Sequence, residues 1–471
     1  MSHYDAIVIG SGPSGQKAAI QLAKDGLKVA VCEQLREIGG ACVHHGTIPS
    51  KALRERAVER SRVNQRMRET NRAEMGQGIS VAELIGEMSD VVAAHDQYMT
   101  EQLKRNGVEI IHGRASFADP HCVEILATSG RIERCQADYF VIAAGSKPRH
   151  PENVAIDHEH VYDSDSILTL AYMPATMVVL GGGVIACEYA SIFAMLGVKV
   201  TLIDRYQLPL GFLDHDLTNA FVQAFERRGG VFLGNEEIIS CGFDGVSQVE
   251  TILANGTVVK SDKVLCAQGR IADLTNLKIE NAGLQVSERL LVEVDENGRT
   301  AQPHIYAAGD AVGPPSLASS SMEQGRRAAC HILGKDVGVL GALMPSGIYA
   351  IPELASVGLT EAQARANYDE VVVGTADFRE IARGHIANAR DGMLKLVVSG
   401  DGIVRGIHVI GINATELVHI GQMGMLQGAD LNIYIDNIFN FPTYAESYRV
   451  AAINAQAKLE VSAGSRARDV A

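Results

Sequence analysis

A chain of 471 residues exceeds a single hydrophobic core and is expected to divide into about three domains. Its formal net charge of −14, from 42 basic and 56 acidic residues, leaves no broad basic surface for a nucleic-acid backbone or anionic lipid, which excludes both as expected partners. Eight cysteines without a Cys-x-x-Cys pair suit a reducing cytoplasm and offer no zinc pattern, so no metal is expected.

The chain opens on Met1-Ser2-His3-Tyr4-Asp5, which has no basic region, and the apolar run that follows is only strand-sized. Neither a signal peptide nor a membrane span is therefore expected, and a cytoplasmic location is. That run, residues 4–9, is rich in β-branched residues and leads straight into Gly10-Ser11-Gly12-Pro13-Ser14-Gly15. A helical pattern through Ala18, Ala19, Leu22 and Ala23 stops near Gly26, and a second strand, residues 28–33, ends on Glu33. This is βαβ order. Gly10 permits the tight turn, Gly12 lets backbone approach a pyrophosphate, Gly15 lets helix pack on strand, and Glu33 is placed to accept from a ribose hydroxyl.

Next comes Gly39-Gly40-Ala41-Cys42-Val43-His44-His45-Gly46-Thr47-Ile48-Pro49-Ser50-Lys51. A redox-active disulfide needs two neighbouring cysteines, one to attack substrate and one to pass electrons on. Here Cys42 is alone, with Thr47 where a partner would stand. His44 and His45 lack further ligands at usable spacing and read as loop or packing residues. After Lys51 the sequence turns helical and charged, and Ser80-Val81-Ala82-Glu83 reads as a capping box opening a second long helix to about Asn106. Residues 140–148 read as a buried strand ending in a turn at Gly145, the exit from the first domain.

A second βαβ unit begins at residues 177–180, continues through Gly181, Gly182 and Gly183 with Ala186 at the third glycine position, carries Glu188 on its helix, and closes its second strand at Asp204. Two dinucleotide folds in one chain suit flavin adenine dinucleotide (FAD) in one and a nicotinamide nucleotide in the other. Asp204 favours a 2′-hydroxyl and so NAD, while Arg205 beside it can receive a 2′-phosphate and so NADP; Ala186 is a pattern met in NADP-using proteins. The residues leave that choice open. Residues 300–310 form a short strand delivering Asp310 beside Gly309. From about residue 346 the pattern changes to alternating strands, such as 394–398 and 406–410, and then helices, with a small polar stretch from about Val461 expected to be loose. Near the end stands Phe441-Pro442-Thr443-Tyr444-Ala445-Glu446.

Together the two glycine motifs with Glu33, the Cys42 to Lys51 segment, Gly145-Ser146, Gly269-Arg270 and the Tyr306 to Asp310 segment resemble the pyridine nucleotide disulfide reductase superfamily over nearly the whole chain. Within it, the single cysteine, the 162–167 segment Tyr162-Asp163-Ser164-Asp165-Ser166-Ile167 and the Phe441 to Arg449 segment resemble the soluble, Si-specific pyridine nucleotide transhydrogenase family. The resemblance implies an α/β architecture of two Rossmann-like dinucleotide-binding domains, for FAD and NAD(P), plus a C-terminal α+β dimerisation domain. The expected bounds are 1–154 with 276–345 for FAD, 155–275 for NAD(P), and 346–471 for the interface.

It also implies roles. Gly10, Gly12, Gly15 and Glu33 would grip the adenosine and pyrophosphate of FAD, with Gly40, Ala115, Gly145 and Asp310 along the rest of it. Lys51 would lie near the flavin and pair with Glu188, and Cys42 would either tune the ring or be a relic without an essential role. Gly181, Gly183, Ala186, Asp204, Arg205 and Gly269 would serve NAD or NADP. Phe441, at the position where the resemblance to disulfide reductases implies a catalytic histidine assisting a leaving thiol, would be an apolar plug reaching the flavin of a second subunit in a homodimer or larger homo-oligomer. The implied activity is hydride transfer between NADPH and NAD through FAD. The alternatives are an NAD(P)H oxidase or diaphorase, a dihydrolipoamide dehydrogenase-like reductase, and a non-enzymatic flavin-based NADH sensor.

Overall fold

The structure, a computed structural model, describes residues 2–69, 81–389 and 391–469. Its first sheet has seven strands. Glu109–His112, Val29–Glu33, Ser2–Ile9 and Ile132–Ile142 lie side by side in parallel, Ile305–Ala307 joins Ile132–Ile142 in parallel, and Cys122–Leu126 and Arg114–Asp119 extend the sheet antiparallel. Ala6, Ile7 and Val8 are fully buried because both faces are covered, Ala6 and Val8 by helix residues such as Leu22, Leu103 and Ala328 and Ile7 by Phe117, Ile125 and the 277–292 segment, which is why this strand reads as an unbroken apolar run. The register pairs Ile9 with both Cys32 and Ile142, so the carboxyl ends of the parallel strands stop at one rim. Ligands of open α/β sheets bind along such a rim.

Helix Pro13–Lys24 starts directly after that rim, with Gly12 as its cap and Pro13 in the first turn, where a missing N–H costs nothing. Gly10 has φ +106°, and a Cβ there would lie 2.2 Å from the carbonyl oxygen of Ala143. A Cβ on Gly15 would lie 2.0 Å from the carbonyl oxygen of Gly10. Only glycine fits either place, as the sequence pattern requires.

The second sheet runs Val231–Leu233, Lys199–Ile203, Thr176–Leu180, Lys263–Cys266, Val161–Asp163, all parallel, with helix Val184–Met195 packed on it. The strand pair Ser146–Pro148 and Arg270–Ala272, antiparallel, ties the two crossings between the first and second domains together.

The C-terminal domain is a five-stranded antiparallel sheet in the order Ser346–Ile348, Leu354–Gly358, Val404–Ile410, Met393–Ser399, Val371–Asp377. Helices Ala414–Leu426 and Glu446–Asp469 pack on it, leaving Met423, Leu426, Ile438, Phe441, Val450 and Ile453 exposed. The stretch from Val461, expected to be loose, instead continues the last helix to Asp469; alanine, serine and arginine after it carry no helix breaker but Gly464.

Helix Thr47–Glu69 begins four residues before Lys51, which places that lysine just past the first turn rather than ahead of the helix. Helix Val81–Arg105 ends as the sequence pattern predicts, while its expected cap at Ser80 lies outside the described residues. Among the described residues no helix is long and apolar enough to cross a membrane.

Candidate functional site

A cavity of about 1110 Å³ opens on the rim of the first sheet and runs toward the second and C-terminal domains. It is large beside the few hundred to about 1,000 Å³ of ordinary small-molecule pockets. Of the residues singled out from sequence, Gly10, Gly12, Glu33, Gly40, Cys42, Lys51, Ala115, Gly145, Glu188 and Asp310 all line it.

At one end the glycine turn and Glu33 form a single hydrogen-bonded unit. The Glu33 carboxylate is buried and accepts from the Ser11 amide (2.9 Å), the Ser11 hydroxyl (2.7 Å) and the Leu35 amide (3.0 Å). The Ser11 hydroxyl accepts in turn from the Gly39 amide at 2.9 Å. A Cβ on Gly12 would project into space with no protein atom within 4 Å, so this turn is a cradle with room for a phosphate chain. That space and the oriented acid fit the adenosine diphosphate portion of a dinucleotide.

Farther along, the Ser146 hydroxyl donates to Asp310 at 2.6 Å, and Arg270 donates from Nε to that hydroxyl at 2.9 Å and from Nη2 to the Ser146 carbonyl at 2.7 Å. Arg270 Nη1 also reaches Ser164 (3.0 Å) and Asp165 (2.7 Å). A planar, five-donor guanidinium suits this fork, which joins the first domain to the start of the second.

At the far end Lys51 Nζ donates to both oxygens of Glu188, at 2.9 and 2.7 Å. Glu188 is buried, and its Oε1 accepts a further bond from the Tyr349 amide at 2.9 Å. The ammonium also lies 4.9 Å from the centre of the Tyr349 ring. Three domains therefore meet on one ion pair. Burial pushes the Tyr349 phenol up, against the opposing hydrogen bond with Thr415.

Cys42 faces the same cavity as a free thiol, with the side chain of Thr47 near enough to act on it. Position 47 is thus within reach of position 42, where a disulfide partner would have to be, and it carries a hydroxyl. Burial pushes the Cys42 thiol up, with Thr47 and then Lys51 acting in the opposite direction, so the thiol is not primed as a nucleophile.

Gly15, Gly181, Gly183, Ala186, Asp204, Arg205 and Gly269 lie outside this cavity's lining. Gly15 serves helix packing. Gly181 (φ +107°) and Gly183 form the turn before helix Val184–Met195, and Ala186, on the buried face of that helix, sits in the core, where its small size matters for packing. Asp204 ends its strand next to this turn: its carboxylate takes the backbone amides of Arg205, Gly182 and Tyr206, although burial outweighs them and raises it above the ordinary carboxylate range. A Cβ on Gly182 would lie 2.1 Å from the Asp204 carboxylate. Arg205 stacks 4.8 Å over the Tyr206 ring and donates to its hydroxyl at 2.8 Å. Gly269 has φ +105° in the turn leading to Arg270.

His44 donates from Nε2 to the Ile38 carbonyl oxygen at 2.9 Å, and the His44 and His45 ring centres are 6.4 Å apart. Among the described residues no group of three His, Cys, Asp or Glu side chains is arranged to hold a metal ion. Phe441 is 68% exposed and does not line the cavity of its own chain. Ser11 and Tyr349 escape sequence reasoning. Ser11 could be found as the hydroxyl between two motif glycines; nothing local marks Tyr349, which comes from the C-terminal domain.

Comparison with known proteins places these features in context. Residues 4–325 match the model of the pyridine nucleotide-disulphide oxidoreductase family, and residues 344–452 match that family's dimerisation domain. The chain is 41% identical over 462 residues to the soluble pyridine nucleotide transhydrogenase of Mycobacterium bovis, covering 98% of each, and 42% identical over 457 residues to that of Erwinia tasmaniensis, covering 96% of this chain and 97% of the other. Among solved structures it is similar to the HOCl-induced flavoprotein disulfide reductase RclA of Escherichia coli, with TM-score 0.86, 27% identity and 96% and 99% coverage. It is also similar to LpdA of Mycobacterium tuberculosis, with TM-score 0.87, 26% identity and the same coverage.

Proposed function

The chain belongs to the pyridine nucleotide-disulphide oxidoreductase family, and from that premise we propose that it transfers hydride between NADPH and NAD with FAD as its cofactor and without a redox disulfide. The observation that carries this reading is that Cys42, facing the cavity, is a free thiol with the Thr47 hydroxyl rather than a second sulfur beside it. Electrons that enter the cavity have no dithiol by which to leave, so a second nicotinamide nucleotide is the exit. The names of the relatives 41% and 42% identical over nearly full length support the same activity.

In this proposal Gly10, Gly12, Glu33, Gly40, Ala115, Gly145 and Asp310 hold FAD along the cavity, and Gly181, Gly183, Asp204 and Arg205 hold the nicotinamide nucleotide at the second sheet. Bound FAD would supply the two-electron chemistry, accepting and returning hydride. The protein supplies position and charge. Lys51 places a fixed cation in the cavity, and Glu188 with the Tyr349 amide prevents it from swinging into solvent. Asp204 accepts from the 2′-hydroxyl of NAD, while Arg205, exposed beside it, takes the 2′-phosphate of NADP. No general base is needed for hydride transfer, which agrees with phenylalanine at position 441.

The proposal includes Si specificity at the nicotinamide, a cytoplasmic location and a homodimer. The dimerisation-domain match and the exposed apolar residues of the C-terminal helices support the last of these. In the dimer Phe441 approaches the partner's cavity. Turnover with NADPH and the thionicotinamide analogue of NAD under anaerobic conditions tests the activity. Reduced analogue formed in step with NADPH consumption is expected; NADPH consumption only when oxygen is admitted would replace the reading with an oxidase.

A further inference from the structure

Lys395 lies in the middle of strand Met393–Ser399 of the C-terminal sheet, with 1% of its side chain exposed. Its ammonium donates to three carboxylates: Asp214 at 2.7 Å, Asp216 at 2.6 Å and Glu361 at 2.7 Å. Asp214 is itself 2% exposed. A lysine so deeply buried is retained only when its partners satisfy every proton, and three acceptors for three donors do that here.

Asp214 belongs to the second domain. It caps helix His215–Arg227, accepting from the Asp216 amide at 3.1 Å, and its other oxygen accepts from the Glu361 amide at 2.9 Å. Both oxygens of this cap are thus held by the C-terminal domain. The far end of the same helix is held likewise, by Arg227 and Arg228 on Asp391 at 2.5 and 2.8 Å. The helix is a strut clamped at each end to a neighbouring domain.

The segment entering the strut is residues 204–213, which starts at Asp204 and Arg205. It is tied to the glycine turn of its own domain at two points, at Asp204 and, toward its far end, by the Leu210 amide on the Gly182 carbonyl at 2.7 Å. Its far end is Leu213, next to Asp214, and Phe212 between them lines the cavity. The loop that meets the nucleotide is thus tied to the glycine turn at residues 204 and 210 and, through residues 211–213, to Asp214, which the C-terminal domain holds.

We propose that Lys395 is a positioning residue for nucleotide binding: by holding Asp214 it sets residues 204–213 in the conformation that receives the nicotinamide nucleotide. This rests on the reading of the second domain as the nucleotide site. It makes affinity depend on a cation that touches no ligand.

The test uses the full-length holoenzyme and titrates NADH and NADPH calorimetrically, with steady-state KM and kcat beside them. Lys395→Met is expected to raise Kd and KM for both nucleotides by about tenfold or more, with kcat at saturation within about twofold and FAD stoichiometry unchanged. Glu361→Gln, which removes a partly exposed partner and spares the fold, is expected to raise Kd by about threefold. Tyr434→Leu, in the core of the C-terminal domain and away from the lysine, serves as the control for lost stability. It lowers Tm and leaves Kd unchanged. Unchanged Kd in both charge variants, or an equal rise in Tyr434→Leu, would overturn the positioning role. A wild-type enzyme that binds neither nucleotide would instead overturn the reading beneath it.

Discussion

Lys51 and Glu188 stand 137 residues apart in sequence and meet at 2.7 and 2.9 Å, one carried near the start of a helix of the first domain and the other by a helix of the second. The pair fixes a cation in the cavity and ties the two nucleotide-binding domains across it. Lys51→Met is expected to lower kcat by about a hundredfold while FAD remains bound, the scale of removing one fixed electrostatic group from an active site. Glu188→Gln keeps an acceptor for the Tyr349 amide and is expected to cost about tenfold. Steady-state kinetics beside FAD content measures both; wild-type kcat in Lys51→Met would contradict the assignment.

Tyr349 acts on the same ammonium through its ring. A cation over an aromatic face is worth about 0.5–2 kcal/mol, so Tyr349→Leu is expected to lower kcat/KM by about two- to thirtyfold. Tyr349→Phe keeps the ring and is expected to stay near wild type. Equal losses in the two variants would assign the effect to the hydroxyl and its bond with Thr415.

Cys42 is expected to be dispensable. Burial holds its thiol above the usual range, and Thr47 cannot form a disulfide with it. Cys42→Ser should keep transhydrogenation within about twofold of wild type. A loss beyond tenfold with FAD fully bound would show that the thiol serves the flavin directly.

Arg205 is exposed and stacked on Tyr206, so its removal strands no buried group. Arg205→Ala is expected to raise KM for NADPH by about tenfold, the worth of a charge-assisted bond to phosphate, and to leave KM for NADH within about twofold. Equal rises for both nucleotides would remove Arg205 from the choice between them.

The cluster around Lys395 has a defined pH window. It comprises Asp214, Asp216, Glu361, Lys395 and His408, which pairs across the strands with Lys395. Burial depresses His408, more than the nearby Asp214 raises it. Its contribution is therefore full above the unfolded value of roughly 6.5 and is lost as pH falls through the lower folded value. For Asp214 and Glu361, burial acts to raise them, but the bonds from Lys395 prevail and hold them low, so their contributions are lost only below roughly 4. For Lys395, burial acts to lower it and the three carboxylates prevail, so its contribution is full below roughly 10.4 and lost as pH rises through the higher folded value. In thermal melts the stability advantage of wild type over His408→Asn should shrink as pH falls below about 6.5. A difference constant from neutral to mildly acid pH would contradict the role given to His408.

What the sequence discloses follows the range of the interactions. The turn from Gly10 to Gly15 and its acid Glu33 are legible because strand, turn and helix are consecutive and each glycine answers a local steric demand. The Lys51–Glu188 pair is legible only by resemblance, since nothing near either residue names the other. Tyr349 and Lys395 are not legible. Their partners lie 161 and 181 residues away, and Lys395 sits in an apolar strand where alternation alone would assign it to solvent. It is buried because Asp214 and Glu361, from two other elements, close over it.

The most direct test of the account is a pair of half-reactions under strict exclusion of oxygen. The holoenzyme is bleached with NADPH, freed of NADP by rapid gel filtration, and then mixed with NAD while the visible flavin band and NADH are followed. The account predicts that the band returns at a rate sufficient for turnover and that NADH forms in equal amount. A flavin that stays bleached with NAD and recovers only when oxygen is admitted would contradict it.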